Sequence, residues 1–387
     1  MAKALRGRIS KEYRSAKRRL AEMLALVMML VIALAAAACA APSGGTPALS
    51  ALPPTADKAE TRRQIDAYLS QLNQAGGFSG AVLVARAGEI RLRMGYGLAD
   101  RAKKIPNTPQ TRFRIASITK QFTAMAILML QEQGKLNVQD AFCDYFPDCP
   151  AAWKAITIHQ LLTHTSGIPN FTELPGYDPF DPTPYPPAQI IARVRDQPLS
   201  FKPGEQWHYS NSGYVILGEI IARTSSQSYE NYLQQAIFTP LGMDNSGLAH
   251  CLVEAGMAEG YATAKGLQPA VWCASNAEGG MYSTVGDLYL WDQALYTERL
   301  ISRDLLEQMF ARQAGPAFDR LDYGYGWFVG EKFGRAIARH DGRDEGVGTL
   351  IIRYPQERAT IIVLGNQRDS DIVGIAARLS GWILGEE

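Results

Sequence analysis

Phe113-Arg114-Ile115-Ala116-Ser117-Ile118-Thr119-Lys120-Gln121-Phe122 sets a hydroxyl and an amine three residues apart, which on a helix means one face and one turn. The residues beyond it, Ala124, Met125, Ala126, Ile127, Leu128, Met129 and Leu130, are apolar all round, the pattern of a helix buried in a core. Lys120, near the N-terminus of that helix, is then poorly solvated, and burial disfavours its ammonium form. Ser117 at the helix start gains from the backbone N–H groups and the positive end of the dipole. The pair reads as a nucleophile with its activator. Taken alone, Ser-x-x-Lys is equally a helix cap followed by a surface lysine; the apolar flanks and two downstream partners weigh against that.

The first partner is Tyr209-Ser210-Asn211, in Phe201-Lys202-Pro203-Gly204-Glu205-Gln206-Trp207-His208-Tyr209-Ser210-Asn211. In an extended or turn backbone, residues two apart point the same way, so Tyr209 and Asn211 can face one pocket. A tyrosine beside a lysine ammonium loses its proton more easily and can relay protons to a serine. Asn211 can hold a substrate carbonyl or the lysine amine. The plainer alternative is a polar turn before a helix over Tyr214–Ala222. The second partner, His340-Asp341-Gly342, ends a strand-like run over Arg335–Arg339, and its glycine would let a substrate backbone come close.

With these three motifs in order, the chain resembles the serine β-lactamase and penicillin-binding-protein superfamily. It is most like the branch holding class C β-lactamases, D-alanyl-D-alanine carboxypeptidases, D-aminopeptidases and related esterases. Leu161-Leu162-Thr163-His164-Thr165-Ser166-Gly167-Ile168 resembles a structural turn of that family, and Gly279-Gly280-Met281-Tyr282-Ser283-Thr284 with Asp287-Leu288 the start of its late helix. The likeness runs from about Phe78 to the C-terminus. It implies Ser117 as the acylated nucleophile, with Lys120 and Tyr209 as general base and then proton donor to the leaving group. It implies Asn211, His340, Gly342 and Arg343 around the substrate, with an oxyanion hole on the N–H groups of Ser117 and Arg343.

The departure from the family pattern matters as well. Lys-Thr-Gly is usual at the third motif, where its lysine attracts the substrate carboxylate; here it is His340-Asp341-Gly342. Histidine is mostly neutral at pH 7, so it grips a carboxylate weakly, and Asp341 opposes it. The His-x-Gly form resembles the esterase and D-aminopeptidase members. Arg339 and Arg343 flank the motif and are candidates to restore a positive site. A histidine packed against the sheet is the other reading of His340.

Residues 1–22 carry eight basic side chains against Glu12 and Glu22, followed by the uncharged apolar run Met23–Ala38 and then Cys39. Basic, apolar and small-residue segments in that order describe an export signal over residues 1–39. The small residues before Cys39 resemble a bacterial lipoprotein signal, which makes Cys39 the expected lipidation site; an uncleaved anchor is the alternative. Either way the expectation is an envelope protein held at a membrane, facing the periplasm or cell exterior. Residues 40–56, rich in Ala, Pro, Ser and Gly, read as a flexible tether.

Four cysteines remain, Cys143, Cys149, Cys251 and Cys273; three connectivities are possible, Cys143–Cys149 and Cys251–Cys273 being the local one. Their spacing fits no metal site, and no cofactor is expected. The chain holds 39 basic and 38 acidic residues; without residues 1–22 the balance is 39 less 8 against 38 less 2, near −5. That argues against nucleic acid as a partner. A conventional α/β-hydrolase is disfavoured because no Gly-x-Ser-x-Gly occurs.

Helical spacing marks Asp57–Ala75; strand patterns mark Ala81–Ala85, Ile90–Gly97, Tyr323–Val329, Ala336–His340, Thr349–Tyr354 and Ala359–Gly365; Ile372–Leu384 reads as a closing helix. Between about residues 136 and 278 the pattern is helical with long loops. The expected fold class is α+β, an antiparallel sheet flanked by helices and built from both ends of a domain over residues 57–387, with a mainly helical region inserted. Its site would lie at the seam. The proline-rich stretch Pro169–Pro187, with Phe171, Tyr177, Phe180 and Tyr185, is a surface loop or a wall of that cleft. The expected function is an exported serine hydrolase acting on a small ester, amide or D-amino-acid peptide. The alternative is a non-catalytic module that binds or senses cell-wall fragments or β-lactams on the same fold.

Overall fold

Strands rich in Val, Ile and Leu with no polar alternation predict a sheet buried on both faces. The computed structural model describes residues 58–385 except 147–148, 179–184, 250–255 and 263–276. The expected export signal, Cys39, the tether, Cys251 and Cys273 lie outside the described residues. The main sheet contains β1 (Gly80–Arg86), β2 (Glu89–Tyr96), β3 (Ala314–Phe318), β4 (Leu321–Tyr323), β5 (Phe328–Lys332), β6 (Arg335–Asp344), β7 (Val347–Tyr354) and β8 (Ala359–Gly365). Their order across the sheet is β2-β1-β8-β7-β6-β5-β4-β3, every neighbour antiparallel. The N-terminal hairpin thus joins the C-terminal strand in the middle of the sheet, with Leu83 opposite Ile362.

Alternate residues divide the sheet between two cores. Ala81, Leu83, Ala85, Ile351, Ile362 and Leu364 face the main core. Their neighbours Val82, Val84, Leu350, Ile352, Ile361 and Val363 are buried too, on the face covered by α1 (Lys58–Gln74) and α5 (Ile372–Leu384). On the main-core face α4 (Val285–Ala294) packs on β1 and β8, and the turn Ala116–Ile118 packs on β6 and β7. Behind that turn α2 (Thr119–Glu132) runs into the helical region and packs against α3 (Asn211–Ser225). Phe122 anchors α2, with ring centroids 4.3 Å from Trp291 and 5.9 Å from Phe238. Truncating such a buried ring costs about 3–5 kcal/mol.

Helices and 3-10 turns, among them Phe142–Tyr145, Ile158–Leu162, Pro187–Arg195, α3 and Tyr229–Leu233, make up much of the described part of the region between β2 and α4, together with short strands in two small sheets. Cys143 and Cys149 form a disulfide, one of the two local pairings. Three details differ from the sequence reading. The stretch expected as one strand over Tyr323–Val329 is two strands, broken between Tyr323 and Phe328, where Gly326 takes φ +76°. Strand β3 was not legible, because Gly315 and Pro316 interrupt its pattern; proline is tolerated there because β3 is an edge strand. And β6 does not end at His340 but continues to Asp344, so the third motif sits inside a paired strand.

Candidate active site

Ser117 lies in the 3-10 turn Ala116–Ile118, two residues ahead of the first residue of α2 rather than within it. From Phe113 to Leu128 it alone is not buried. The turn is pinned from all sides: Ile115 N–H donates to Met281 O at 2.9 Å, Thr349 Oγ1 to Ile115 O at 2.9 Å, and Thr119 Oγ1 to Ala116 O at 2.7 Å. Ala116 adopts φ +45°, a left-handed backbone that costs an L-residue roughly 1–2 kcal/mol. Those hydrogen bonds hold the strained residue and present the next side chain outward.

Lys120 is fully buried, and its Nζ donates to Ser117 Oγ (3.0 Å), Asn211 Oδ1 (2.9 Å) and Glu278 O (2.6 Å). Burial pulls its pKa down to about 8, against the opposing pull of the Glu278 carboxylate, whose Oε2 lies 3.9 Å away. The geometry has a direct chemical consequence. Asn211 Oδ1 and the Glu278 carbonyl can only accept, so a neutral amine spends its two N–H groups on them. Its lone pair is left for the Ser117 hydroxyl. The site thus has the means to remove that proton.

Tyr209 sits on the loop before α3, its side chain directed towards Ser117 and its ring 4.9 Å from Lys120 Nζ. The expectation that Lys120 would ease loss of the phenol proton fails, because burial outweighs it: Tyr209 is pushed well above the usual tyrosine value despite the opposing influence of Ser117. In the free protein Tyr209 is a neutral phenol, suited to passing a proton on. His164, from the turn motif at residues 161–168, seats it: the two rings lie 4.3 Å apart, and His164 Nδ1 accepts from Ser210 N–H at 3.1 Å. Ser210 is the N-cap residue of α3, which puts Asn211 in the first turn, facing Lys120.

The third motif is placed differently from its reading. His340 is 1 % exposed and does not line the cavity at Ser117. Its Nδ1 meets Asp341 O at 2.7 Å, which requires Nδ1–H, so Nε2 accepts from the Tyr323 hydroxyl at 3.1 Å. Burial drops its pKa to about 3. A neutral ring packed against Tyr323 and Phe328 has no grip on a substrate carboxylate. Gly342 is also not where a substrate passes: a Cβ there would lie 2.4 Å from Ile115 O, so the glycine admits the nucleophile turn instead. Arg339 pairs with Asp319 at 3.4 Å and does not line the cavity, whereas Arg343 does.

That cavity, about 320 Å³, is lined by Ser117, Asn211, Thr172, Tyr177 and four charged groups that sequence reasoning passed over: Glu278, Asp344, Glu345 and Arg368. Thr172 and Tyr177 bring the proline-rich stretch into its wall. Glu345 and Arg368 neutralise each other at 2.9 Å. Burial raises Asp344 to about 6, and neither of its oxygens has a hydrogen-bond partner. Glu278, 6 % exposed, is also raised by burial. The only sequence signal for Glu278 is an acidic residue directly before the Gly279-Gly280 motif.

The family model named Beta-lactamase matches residues 65–380, and the chain belongs to that family. It is 30 % identical to penicillin-binding protein 4* of Bacillus subtilis strain 168 over 81 % of this chain and 73 % of that one. The crystal structure of a penicillin binding protein from Bacillus halodurans superposes with TM-score 0.71 at 29 % identity, covering 81 % of this chain and 99 % of that one. The D-amino acid amidase of Ochrobactrum anthropi SV3, in complex with L-phenylalanine amide, superposes with TM-score 0.74 at 25 % identity, covering 85 % and 99 %. The fold is that of the serine β-lactamases and penicillin-binding proteins.

Proposed function

We propose that this chain is an exported serine hydrolase that acylates Ser117 and then hydrolyses the acyl-enzyme, releasing the acid part of a small ester or amide. The observation that carries the reading is the threefold coordination of Lys120 Nζ, which leaves the neutral amine one direction for its lone pair, towards Ser117 Oγ 3.0 Å away. Lys120 takes the serine proton as Oγ attacks the carbonyl carbon. The neutral phenol of Tyr209, beside Ser117, delivers a proton to the leaving group and is reprotonated from Lys120. The N–H groups of Ser117 and Arg343 are the candidate oxyanion donors.

Likeness to a D-amino acid amidase supports amides of amino acids among the substrates. Likeness to penicillin-binding proteins supports covalent capture of β-lactams. Because His340 is turned into the core, the reading favours neutral esters and amides over carboxylate-bearing β-lactams as efficient substrates. Export, and a lipid on Cys39 tethering the enzyme to the envelope, rest on the pattern of residues 1–39.

The test is a panel of a short-chain nitrophenyl ester, a chromogenic cephalosporin and a D-alanyl amide, with Ser117→Ala as control and mass spectrometry of the intact protein. Ester or amide turnover that vanishes in Ser117→Ala supports the reading. A folded chain that neither turns over nor is acylated by any of the three is a binding module instead.

A further inference from the structure

Acylation and deacylation need different proton acceptors, and the groups around Ser117 are unevenly matched to the two steps. Once Ser117 is acylated, a water must be deprotonated on the open side of the acyl carbon. Lys120 is fully enclosed, and three acceptors surround its Nζ. Tyr209 is a neutral phenol. Glu278 is different. It lines the same cavity as Ser117, yet is 94 % buried, with Lys120 Nζ 3.9 Å from its Oε2.

Building on the hydrolase reading, we propose that Glu278 is a further catalytic residue, the base that activates the deacylating water. The legs Glu278 Oε2–Lys120 Nζ (3.9 Å) and Lys120 Nζ–Ser117 Oγ (3.0 Å) hold the carboxylate within at most about 7 Å of the serine oxygen, in reach through one water. In the step, a water O–H breaks and its proton goes to Glu278 while the hydroxide oxygen bonds to the acyl carbon. The tetrahedral adduct collapses by breaking the C–Oγ bond. The Lys120 amine, left neutral by acylation, takes the proton from Glu278 across the 3.9 Å contact, and the resulting ammonium gives one to Ser117 Oγ. The net change is water consumed, acid released and every side chain restored.

Two further observations fit. The Glu278 carboxyl is raised by burial, which makes the carboxylate a stronger base than a surface glutamate. Its main-chain carbonyl holds Lys120, so one residue orients the acylation base and presents the deacylation base. The same carboxylate favours the Lys120 ammonium, so removing its charge leaves Lys120 more often neutral.

The experiment compares the full chain and Glu278→Gln in rapid mixing with p-nitrophenyl acetate, with intact-protein mass spectrometry and thermal melting. The expected result is a burst of nitrophenol at unchanged or higher rate in Glu278→Gln, then steady turnover reduced roughly 10²-fold with acetyl-Ser117 accumulating. Glu278→Asp, which keeps a carboxylate, should restore part of the steady rate. Equal loss of burst and steady rates, or a changed KM with deacylation intact, overturns the proposal, and a Gln variant that melts early passes the decision to Glu278→Asp against Glu278→Ser. If the unaltered chain neither releases nitrophenol nor forms a Ser117 adduct, the hydrolase reading fails first and this one with it; normal turnover in the Gln variant removes this one alone.

Discussion

A Cβ on Gly342 would fall 2.4 Å from the carbonyl oxygen of Ile115, two residues before Ser117, and 2.6 Å from Thr349 Oγ1. The strand that carries the third motif is therefore the floor beneath the nucleophile turn. Thr349 bridges the two, donating to Ile115 O at 2.9 Å. Gly342→Ala must separate strand from turn, because the nearest atom belongs to backbone and cannot rotate away. Overpacking of this kind costs about 1–3 kcal/mol. The expected outcome is a lowered melting temperature with a larger loss in acylation of Ser117 by a nitrophenyl ester. A variant that melts lower but acylates at the normal rate would show that the turn is held without the strand.

On the proposed mechanism, Lys120 should set the pH dependence of acylation. Burial lowers its pKa to about 8, and only the neutral amine accepts the serine proton. Below that value the amine is mostly protonated and acylation falls tenfold per pH unit; above it the rate levels. Stopped-flow acylation between pH 6 and 10 should give a single rising limb near 8. Lys120→Arg, permanently charged and without a lone pair, should abolish it.

Asn211 holds one of the three bonds to Lys120 Nζ, at 2.9 Å. Asn211→Asp keeps the shape and adds a negative charge beside the amine, which favours the ammonium. Its acylation limb should therefore move to higher pH. Asn211→Ala leaves an N–H unpaired and frees the amine to turn from Ser117, lowering acylation at all pH values. An unshifted limb in Asn211→Asp would detach Asn211 from Lys120.

Much of this was legible in the sequence because it is local. Ser117 and Lys120 share a helical turn, and the apolar run after them announces burial. The strands β1, β7 and β8 follow from largely apolar runs, β2 from alternation of charged and apolar residues, and Tyr209 with Asn211 from two-residue spacing. What failed depends on long-range packing. Whether a strand ends at His340 or continues decides which face its ring takes, and pairing with Ile351 continues it into the core. Burial overrode charge at Tyr209 for the same reason: the desolvating neighbours, His164 and Tyr323 among them, come from distant segments. Glu278 and Asp344 belong to no pattern, and only the fold carries them to Ser117.

With His340 in the core, Arg343 is the proposed group for anion recognition. It is exposed, lines the cavity and donates through Nη1 to Arg368 O at 3.2 Å, with no carboxylate partner among the described residues. Arg343→Ala should weaken kcat/KM for carboxylate-bearing substrates by up to about fivefold and leave neutral esters unchanged, the size expected of an exposed ion pair. Equal losses on both would assign Arg343 to shaping the cavity.

Asp344 ties the cavity to stability. Both of its oxygens are shielded from solvent without a hydrogen-bond partner, and burial raises its pKa to about 6, above the unfolded value of roughly 3.9. A carboxyl with a raised folded pKa favours the fold when protonated. Its contribution is fully present below about pH 3.9 and is lost as pH rises through 6. Asp344→Asn keeps the size and removes the charge, so it should raise the melting temperature at pH 8 by about 2–4 °C and have little effect at pH 4. Thermal melts of both proteins across that range check the sign directly. An equal difference at both ends would mean that the charge is not what strains the site. A gain confined to high pH, with activity reduced, would show that the chain keeps a destabilising carboxylate beside Ser117 because catalysis or substrate binding uses it.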